Sequence, residues 1–208
     1  ELGCQSMDDR VLTRCRRGHT AADSIAAARC VHRAGLELGV QMMTGLPGDT
    51  DDTALETAGQ LIALRPATVR IYPTVVLAGT ELERQYRSGY YVPHTVKQAV
   101  DLCSRLAPLF TEAGVRIIRL GLHSSPEVKK KMVAGAFHDS FGELVKSRIM
   151  VDKILALPPA DYEVAVNSKS LSKLKGNKKS NIYFLIERGY NIKIVIDNSL
   201  DVDELEIK

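Results

Sequence analysis

Three short apolar segments of the chain each end in polar residues, glycine or proline. They span residues 1–6, 40–48 and 69–74, and they end in Gln-Ser, Gly-Leu-Pro-Gly and Tyr-Pro-Thr. Strand-end amides and hydroxyls can hydrogen-bond a ligand, and glycine lets the backbone approach it closely. The chain has no Ser/His/Asp order, Walker loop or H-E-x-x-H helix. These residues therefore favour ligand binding, and the sequence identifies no catalytic residue.

A helical pattern separates each of these segments from the next. Thr20 precedes the first main helix, which Gly35 ends, and Pro66 ends the second. A strongly amphipathic helix over residues 95–113 then leads to a fourth strand over 115–122. The order β-α-β-α-β-α-β predicts a parallel sheet with right-handed crossovers. In such folds the active site lies at the carboxyl ends of the strands.

The composition excludes several classes of protein. The 208 residues are 45% hydrophobic and 25% charged, with a net charge of +3 that does not by itself indicate a polyanion partner. No apolar run approaches the roughly 18 residues that span a membrane, so we expect no membrane partner. The four cysteines form no C-x-x-C pair and have no histidine at zinc-ligand spacing, which predicts no metal site. Reduced thiols favour a cytoplasmic protein.

The pattern changes after His123. Helices are expected over residues 126–134 and 143–157, and Pro158-Pro159 ends the second of them. A small unit follows, with a strand over 162–166, a basic glycine loop, a helix over 180–188 and a strand over 190–196. We therefore predict three parts: a sheet domain over 1–123, a helical extension over 124–158, and a small basic α+β unit over 159–208.

The basic loop is a candidate RNA contact. Between residues 164 and 196 there are seven cationic side chains and one glutamate. Lys175, Gly176, Lys178 and Lys179 lie just before a predicted helix, where a phosphate is readily held. The loop is similar to the G-x-x-G loop of KH-type RNA-binding domains, although the second glycine is absent. The alternative is a solvated basic turn that aids solubility. We expect the acidic tail after residue 196 to cover this face when no partner is bound.

The order of the motifs resembles the second half of a radical S-adenosylmethionine (SAM) enzyme core. Within that superfamily, the motifs resemble those of the Elongator-subunit-3-like proteins and of their relative, oxygen-independent coproporphyrinogen oxidase. The resemblance covers residues 1–155 and rests on the three strand-end motifs and on Arg17-Gly18-His19-Thr20, Gly79-Thr80-Glu81-Leu82 and residues 137–145.

The resemblance implies an α/β fold, a partial (β/α)6 TIM-like barrel followed by the small α+β unit. In the family, a C-x3-C-x2-C loop holds a 4Fe–4S cluster, and SAM bound to it is cleaved to a 5′-deoxyadenosyl radical. This chain has no such loop. Its first strand also starts at residue 1, so we expect a fragment that lacks the amino-terminal, cluster-binding half and is inactive alone. A half barrel exposes strand edges, which favours self-association.

The resemblance also implies cofactor contacts at the first strand and its neighbour. Gln5 matches a contact of the SAM ribose, with Ser6 beside it, and Arg17 matches the partner of the SAM carboxylate. Gln41 stands where relatives place a polar ribose contact that is often acidic. The alternatives are that Gln5 and Ser6 cap the next helix, and that Arg17 is a solvated cation at a helix end.

Further contacts follow from the later motifs. Gly45 and the two residues after it, together with Ile71 and Tyr72, resemble the apolar wall and backbone edge around adenine. Tyr72 has the alternative role of a core aromatic. His123 ends a strand and is therefore a candidate substrate contact at the mouth of the barrel.

Three functions remain open at this stage. The first is a radical SAM enzyme that acts on tRNA or another RNA through the basic unit. The second is a radical SAM oxidoreductase for a porphyrin or another small molecule. The third is a non-catalytic RNA-binding module. Residues after 158 are too few for the acetyltransferase domain of Elongator subunit 3.

Overall fold

Four parallel strands form the sheet that positions the predicted site. The computed structural model describes all 208 residues and divides them into two compact units, Glu1–Gly142 and Glu143–Lys208. The strands of the first sheet are β1 (Leu2–Gln5), β2 (Gly39–Thr44), β3 (Thr68–Pro73) and β5 (Arg116–Leu120), in the spatial order β1-β2-β3-β5. All three pairings are parallel. The predicted α/β class and the alternating order of strands and helices are therefore confirmed.

Helices fill the connections between these strands. They are α1 (Asp9–Arg14), α2 (Ala21–Arg33), α3 (Asp51–Ala63), α4 (Glu81–Arg87) and α5 (Val96–Glu112). Threonines at positions 20, 50 and 95 begin the three longer helices, because each side chain accepts a hydrogen bond from the third helical N–H and the side chain at that position returns one. Gly35, with φ of +70°, follows the end of α2 in a conformation that favours glycine.

The two faces of the sheet differ in character. Along β2 the side chains of Val40, Met42 and Thr44 are buried, and the residues between them are half-buried. Helices α3 and α5 pack on β2, β3 and β5, and the buried side chains lie on this helix-covered side. We call the opposite side the inner face. It carries the half-buried, mostly polar side chains of β2 and β3, including Gln41 and Tyr72.

A small second sheet follows the end of β3. Strand β4 (Val75–Leu77) pairs antiparallel with β6 (Met132–Gly135). The predicted helix over 126–134 is therefore shorter than expected, since α6 (Pro126–Lys131) ends where β6 begins. The apolar residues after Lys131 lack helical periodicity, and pairing with a distant strand decides their conformation.

The second unit is built around a mixed sheet of three strands. Its elements are α7 (Phe141–Leu155), β7 (Asp161–Val166), α8 (Leu171–Lys175), α9 (Ser180–Ile186), β8 (Asn191–Ile196) and β9 (Leu205–Ile207), with the strand order β8-β7-β9. Strand β7 pairs parallel with β8 and antiparallel with β9. Its strands, together with α8 and α9, lie within residues 159–208, where the sequence predicted a small α+β unit.

Helix α7 supplies part of the core of this unit. Met150 and Ile154 cluster there with Val164, Leu174 and Leu185, all five of them buried. The compact unit therefore includes a helix that the sequence analysis placed in a separate extension. The three-part division at residues 123 and 158 stays a prediction.

None of the helices combines the length and the apolar character that crossing a membrane requires.

Helix α5 offers a direct test of the packing in the first unit. Leu106 is completely buried, whereas Leu109 on the same helix is 38% exposed. We expect Leu106→Ala to lower the free energy of unfolding by about 2–5 kcal/mol, because it leaves a cavity as well as losing buried apolar surface. The matched control Leu109→Ala is expected to cost about 1 kcal/mol or less. Urea denaturation followed by circular dichroism measures both, and equal losses would contradict the packing described.

Candidate functional site

A cavity opens at the carboxyl ends of β2 and β3. Its volume is about 370 Å³. Apolar side chains in its lining include Met43, Leu46, Pro47, Val75 and Leu82, and the arginines are Arg14, Arg16 and Arg17. An apolar surface beside several guanidiniums suits a ligand that has both a flat apolar ring and a carboxylate. This is the edge of the sheet at which the strand order predicted a site.

Local structure at the end of β1 brings Arg17 to this cavity. Asp8 begins α1 by accepting hydrogen bonds from the N–H groups of Arg10 and Val11. The Arg10 guanidinium lowers the pKa of the Asp8 carboxyl to about 2. After the helix, the Arg17 N–H donates to Leu12 O at 3.0 Å. The exposed Arg17 side chain is thereby held at the rim of the cavity.

His19 fastens the same turn to the sheet. Its Nε2 lies 3.2 Å from Cys4 O, and its Nδ1 lies 3.3 Å from Arg17 O. The ring therefore bridges the end of β1 and the turn that carries Arg17, which is a structural role.

Gln5 and Gln41 meet on the inner face. Gln41 Nε2 donates to Gln5 Oε1 at 3.2 Å. Gln5 is only 3% exposed and has φ of +64°, a left-handed conformation that is strained for a residue other than glycine. A side chain on Gly3 would come within 2.8 Å of Gln5 Nε2, so Gly3 makes room for the folded-back amide. The structure thus joins two residues that the sequence assigned to one ligand.

Ser6 points elsewhere. It is 2% exposed, and its Oγ lies 3.4 Å from Thr57 Oγ1 on α3. The same Oγ accepts from the Asp8 N–H at 3.1 Å. These contacts match the alternative of a capping residue, and a cofactor contact at Ser6 stays a prediction.

The other predicted residues are distributed over both faces. Ile71 is completely buried, on the helix-covered side, so only its backbone can meet a ligand at the inner face. Tyr72 lies on the inner face, and its hydroxyl is 3.4 Å from Arg70 Nη1. His123 is exposed beyond the end of β5, with Nδ1 3.2 Å from Arg119 Nη1.

The loop after β2 has a scaffold that sequence reasoning missed. Asp49 Oδ2 accepts from the Gly45 N–H at 3.1 Å, and Asp49 Oδ1 accepts from the Thr53 hydroxyl at 2.5 Å. The Tyr91 hydroxyl donates to Gly45 O at 2.6 Å. A side chain on Gly45 would approach His94 Nδ1 to 3.1 Å. Gly45 therefore occupies a tight position with φ of +68°.

Burial raises the pKa of Asp49, and hydrogen bonds from Thr53 and from backbone N–H groups oppose that rise. Burial also raises the pKa of Tyr91. In the sequence, Asp49 is one residue of the loop between β2 and α3, and nothing in the pattern indicates that it supports Gly45. Tyr91 lies in an irregular segment with no periodicity, so only the tertiary structure reveals that it supports the loop.

The cysteines do not fit an iron–sulfur cluster. Cys4 and Cys103 are buried. Cys15 directly follows α1, and Cys30 lies on α2. No three metal-ligating side chains come together. Burial raises the pKa of Cys103 to about 12 and raises that of Cys4, so neither favours the thiolate that iron binds.

The basic loop of the second unit joins α8 to α9. Gly176 has φ of +71°, and Lys178 and Lys179 have φ of +49° and +63°. Two successive lysines in the left-handed region are strained. Both side chains are exposed, and neither forms an ion pair. Lys175, half-buried at the end of α8, also has no ion pair.

Other cations of this unit are already engaged. Lys173 is 9% exposed and pairs with Asp203 and Glu143. Arg188 stacks on the ring of Phe184 at 3.6 Å. Asp203, in the loop before β9, belongs to the acidic tail and pairs with Lys173. The tail leaves Lys178 and Lys179 without an ion pair.

Comparison with known proteins assigns the class. Residues 1–61 match the model of the radical SAM superfamily, and residues 66–150 match that of the Radical_SAM C-terminal domain. The first 150 residues of the chain thus belong to the radical SAM superfamily.

Individual relatives narrow this class to Elongator-subunit-3-like proteins. A tRNA uridine(34) acetyltransferase of Methanocaldococcus jannaschii is 30% identical over 148 residues, which are 70% of this chain and 27% of that protein. Human Elongator complex protein 3 is 29% identical over 112 residues, or 52% of this chain and 20% of that protein. An uncharacterised M. jannaschii protein is 37% identical over 61% of this chain and 39% of its own length.

A solved structure agrees with these relatives. The archaeal Methanocaldococcus infernus Elp3 with an N-terminal deletion superimposes with a TM-score of 0.66 at 28% identity, covering 74% of this chain and 35% of that one. The chain spans well under half the length of the relatives that it matches. The resemblance stated from the motifs is confirmed.

The scaffold of the Gly45 loop is testable by Asp49→Ala. This change leaves the buried Gly45 N–H without its acceptor, and we expect a loss of about 1–3 kcal/mol in the free energy of unfolding. Amide hydrogen exchange should show lost protection at Gly45. The control Asp52→Ala removes an exposed carboxylate from the first turn of α3 and is expected to cost about 1 kcal/mol or less. Retained protection at Gly45 in Asp49→Ala would contradict the scaffold.

Proposed function

We propose that the protein containing this chain is a radical SAM enzyme that acts on tRNA. The radical SAM part of this proposal is supported by the cavity beside Arg17 at the carboxyl ends of the parallel strands, in a chain that belongs to the radical SAM superfamily. SAM, when bound and reduced, supplies a 5′-deoxyadenosyl radical. In that step, the residues of this chain hold the cofactor.

The cavity and the inner face of the sheet offer groups that match three parts of SAM. Arg17 offers a planar fork to the carboxylate, which a guanidinium can bind through both oxygens. Leu46 and Pro47 present an apolar surface to the adenine ring. Gln5 and Gln41 do not line this cavity and lie on the inner face. They bond each other through one donor and one acceptor, so each amide keeps polar capacity for ribose hydroxyls.

The cluster must be held by other residues. Because the four cysteines of this chain stay apart, we propose that a cysteine loop outside these 208 residues supplies the iron ligands. This chain alone is then expected to bind the nucleoside and amino-acid ends of SAM without cleaving it.

An RNA partner is supported by the relatives and by the second unit. The M. jannaschii relative that is 30% identical is named as a tRNA uridine(34) acetyltransferase. Lys178 and Lys179 are exposed beside α9, whose Tyr183 and Ile186 are 58% and 50% exposed. Cations next to an exposed aromatic ring suit single-stranded RNA, in which phosphates pair with lysine and bases stack.

The role of Arg17 is tested in the gene product that contains this chain, reconstituted anaerobically with iron and sulfide. Dithionite and SAM should yield 5′-deoxyadenosine. Arg17→Gln should raise the KM for SAM about 10- to 100-fold, since hydrogen bonds to a charged group contribute about 1.5–3 kcal/mol.

Arg29→Gln is the matched control, because Arg29 is exposed on α2 and does not line the cavity at Arg17. It should leave the KM unchanged. Absence of 5′-deoxyadenosine with a fully loaded cluster would refute the enzyme proposal, and an equal effect of the two substitutions would refute the role of Arg17.

The RNA contact is tested with the double variant Lys178→Gln/Lys179→Gln. We expect weaker binding of a tRNA anticodon stem-loop and a slope of log affinity against log salt that is less steep by about 1.4, since each contact to single-stranded phosphate contributes about 0.7. Fluorescence anisotropy across a salt series measures both quantities.

The control is Lys97→Gln/Lys153→Gln, which removes two exposed lysines from other helices. It should change the affinity and the salt slope less than the Lys178→Gln/Lys179→Gln variant does. Equal salt slopes for the loop variant and the unsubstituted chain would contradict an RNA contact at this loop.

A further inference from the structure

Arginines without an ion pair gather at two cavities of the first unit. The paired arginines of this unit are Arg10, Arg70, Arg84, Arg87 and Arg105. Of those without an ion pair, three line the cavity at Arg17. Three others, Arg29, Arg33 and Arg65, line a second cavity of about 830 Å³, together with Ala26, Cys30 and His32. We call this second cavity the basic groove.

The basic groove lies at the opposite end of the sheet from the cavity at Arg17. Its lining comes from the last two turns of α2 and from Arg65 just after α3, and these segments lead into β2 and β3. The groove is therefore at the amino ends of the strands. Because the six residues of β2 span about 20 Å, the groove is a separate site from the proposed cofactor cavity.

A hydrogen bond between two helix ends holds the lining together. His32 Nε2 donates to Leu64 O at 2.9 Å, since a carbonyl oxygen can only accept. Arg33 and Arg65 directly follow these two residues, so the same contact brings their backbones together. Arg33 is also held on α2, where its Nη2 donates to Cys30 Sγ at 3.1 Å.

The backbone of Arg65 is strained. It has φ of +53° at the position after the C-cap of α3. Helices α2, α4 and α5 have Gly35, Gly89 and Gly114 at that position, where glycine avoids the cost of the left-handed conformation. Helix α1 is followed instead by Arg16, with φ of +52°, and that arginine lines the cavity at Arg17. In this unit, an arginine in place of the usual glycine thus accompanies a cavity, as strain often accompanies a binding site.

The lining of the basic groove suits phosphates rather than a protein partner. Three guanidiniums and no acidic residue line it, and a planar guanidinium can bind two phosphate oxygens at once. Its small side chains, Ala26 and Cys30, form no pocket for the aromatic or aliphatic anchors on which protein interfaces depend. No aromatic ring lines the groove, so unpaired bases have nothing to stack on. The chemistry matches the sugar-phosphate backbone of a duplex.

We propose that the basic groove binds the phosphate backbone of double-stranded RNA, with Arg33 and Arg65 as phosphate contacts. Such contacts position an RNA without reading its sequence. That this duplex is a stem of the substrate tRNA rests on the proposed function, whereas the binding of duplex follows from the groove itself.

The test measures binding of a blunt-ended RNA duplex to the 208-residue chain by fluorescence anisotropy across a salt series. We expect Arg33→Gln and Arg65→Gln each to weaken binding about tenfold. Each should also make the slope of log affinity against log salt less steep by about 0.9, the contribution of one phosphate contact in a duplex.

Arg105→Gln is the matched control, because Arg105 is exposed on α5 and its charge is already paired with Asp51. It should leave the affinity for the duplex nearly unchanged. Unchanged duplex binding in Arg33→Gln and Arg65→Gln, or an equal loss in Arg105→Gln, would overturn the proposal. A second probe, polyglutamate, tests for an acidic protein segment: if the two groove variants lose only polyglutamate binding, the groove does not serve RNA.

Arg65→Gly separates phosphate binding from a structural role. Glycine relieves the strain of the left-handed backbone, so the Tm of the free chain should stay the same or rise while duplex binding falls as in Arg65→Gln. A lower Tm with undiminished duplex binding would contradict the proposal. These measurements need neither SAM nor a cluster, and the SAM assay contains no RNA, so Arg29→Gln stays a valid control there. Failure at the groove therefore leaves the 5′-deoxyadenosine assay to judge the enzyme proposal independently.

Discussion

The unbroken parallel register of β2 and β3 is the constraint on which the rest of the first unit depends. Six residue pairs align from Gly39 with Thr68 to Thr44 with Pro73. Because the two strands end at the same level, the Gly45 loop and the segment after β3 lie at one edge of the sheet. Thr74 joins them there, since its N–H and its hydroxyl both donate to Thr44 O, at 2.9 and 2.8 Å. The alternation of side chains then sends apolar residues under the helices and polar ones to the inner face.

The polar inner face is costly to build, and the chain meets that cost with local partners. Gln5 adopts a strained backbone and is paired with Gln41. Asp49 is half-buried and accepts three hydrogen bonds, from Gly45, Thr50 and Thr53. Strain and incompletely paired polar groups are typical of ligand sites, since the bound ligand supplies what the protein leaves unsatisfied.

The second unit shows a division between cations that stabilise the fold and cations that stay available. Lys173 is fixed by Asp203 and Glu143, and Arg188 covers a ring of α9. Lys178 and Lys179 both have left-handed backbone conformations and form no ion pair. A count of charges in the sequence could not separate these groups, because charge pairing depends on which distant acids fold back onto the lysines.

The sequence by itself determined the order of strands and helices, the cap at Thr20, and the edge of the sheet at which the cavity beside Arg17 opens. Periodicity and capping act over a few residues and are legible in one dimension. Only the tertiary structure decided which residues support that edge. Tyr91 reaching Gly45, Ser6 turning to Thr57 and residues 132–135 pairing as a strand depend on contacts between distant segments. Local propensity carries no information about those contacts, because packing and strand register arise only when the chain is folded.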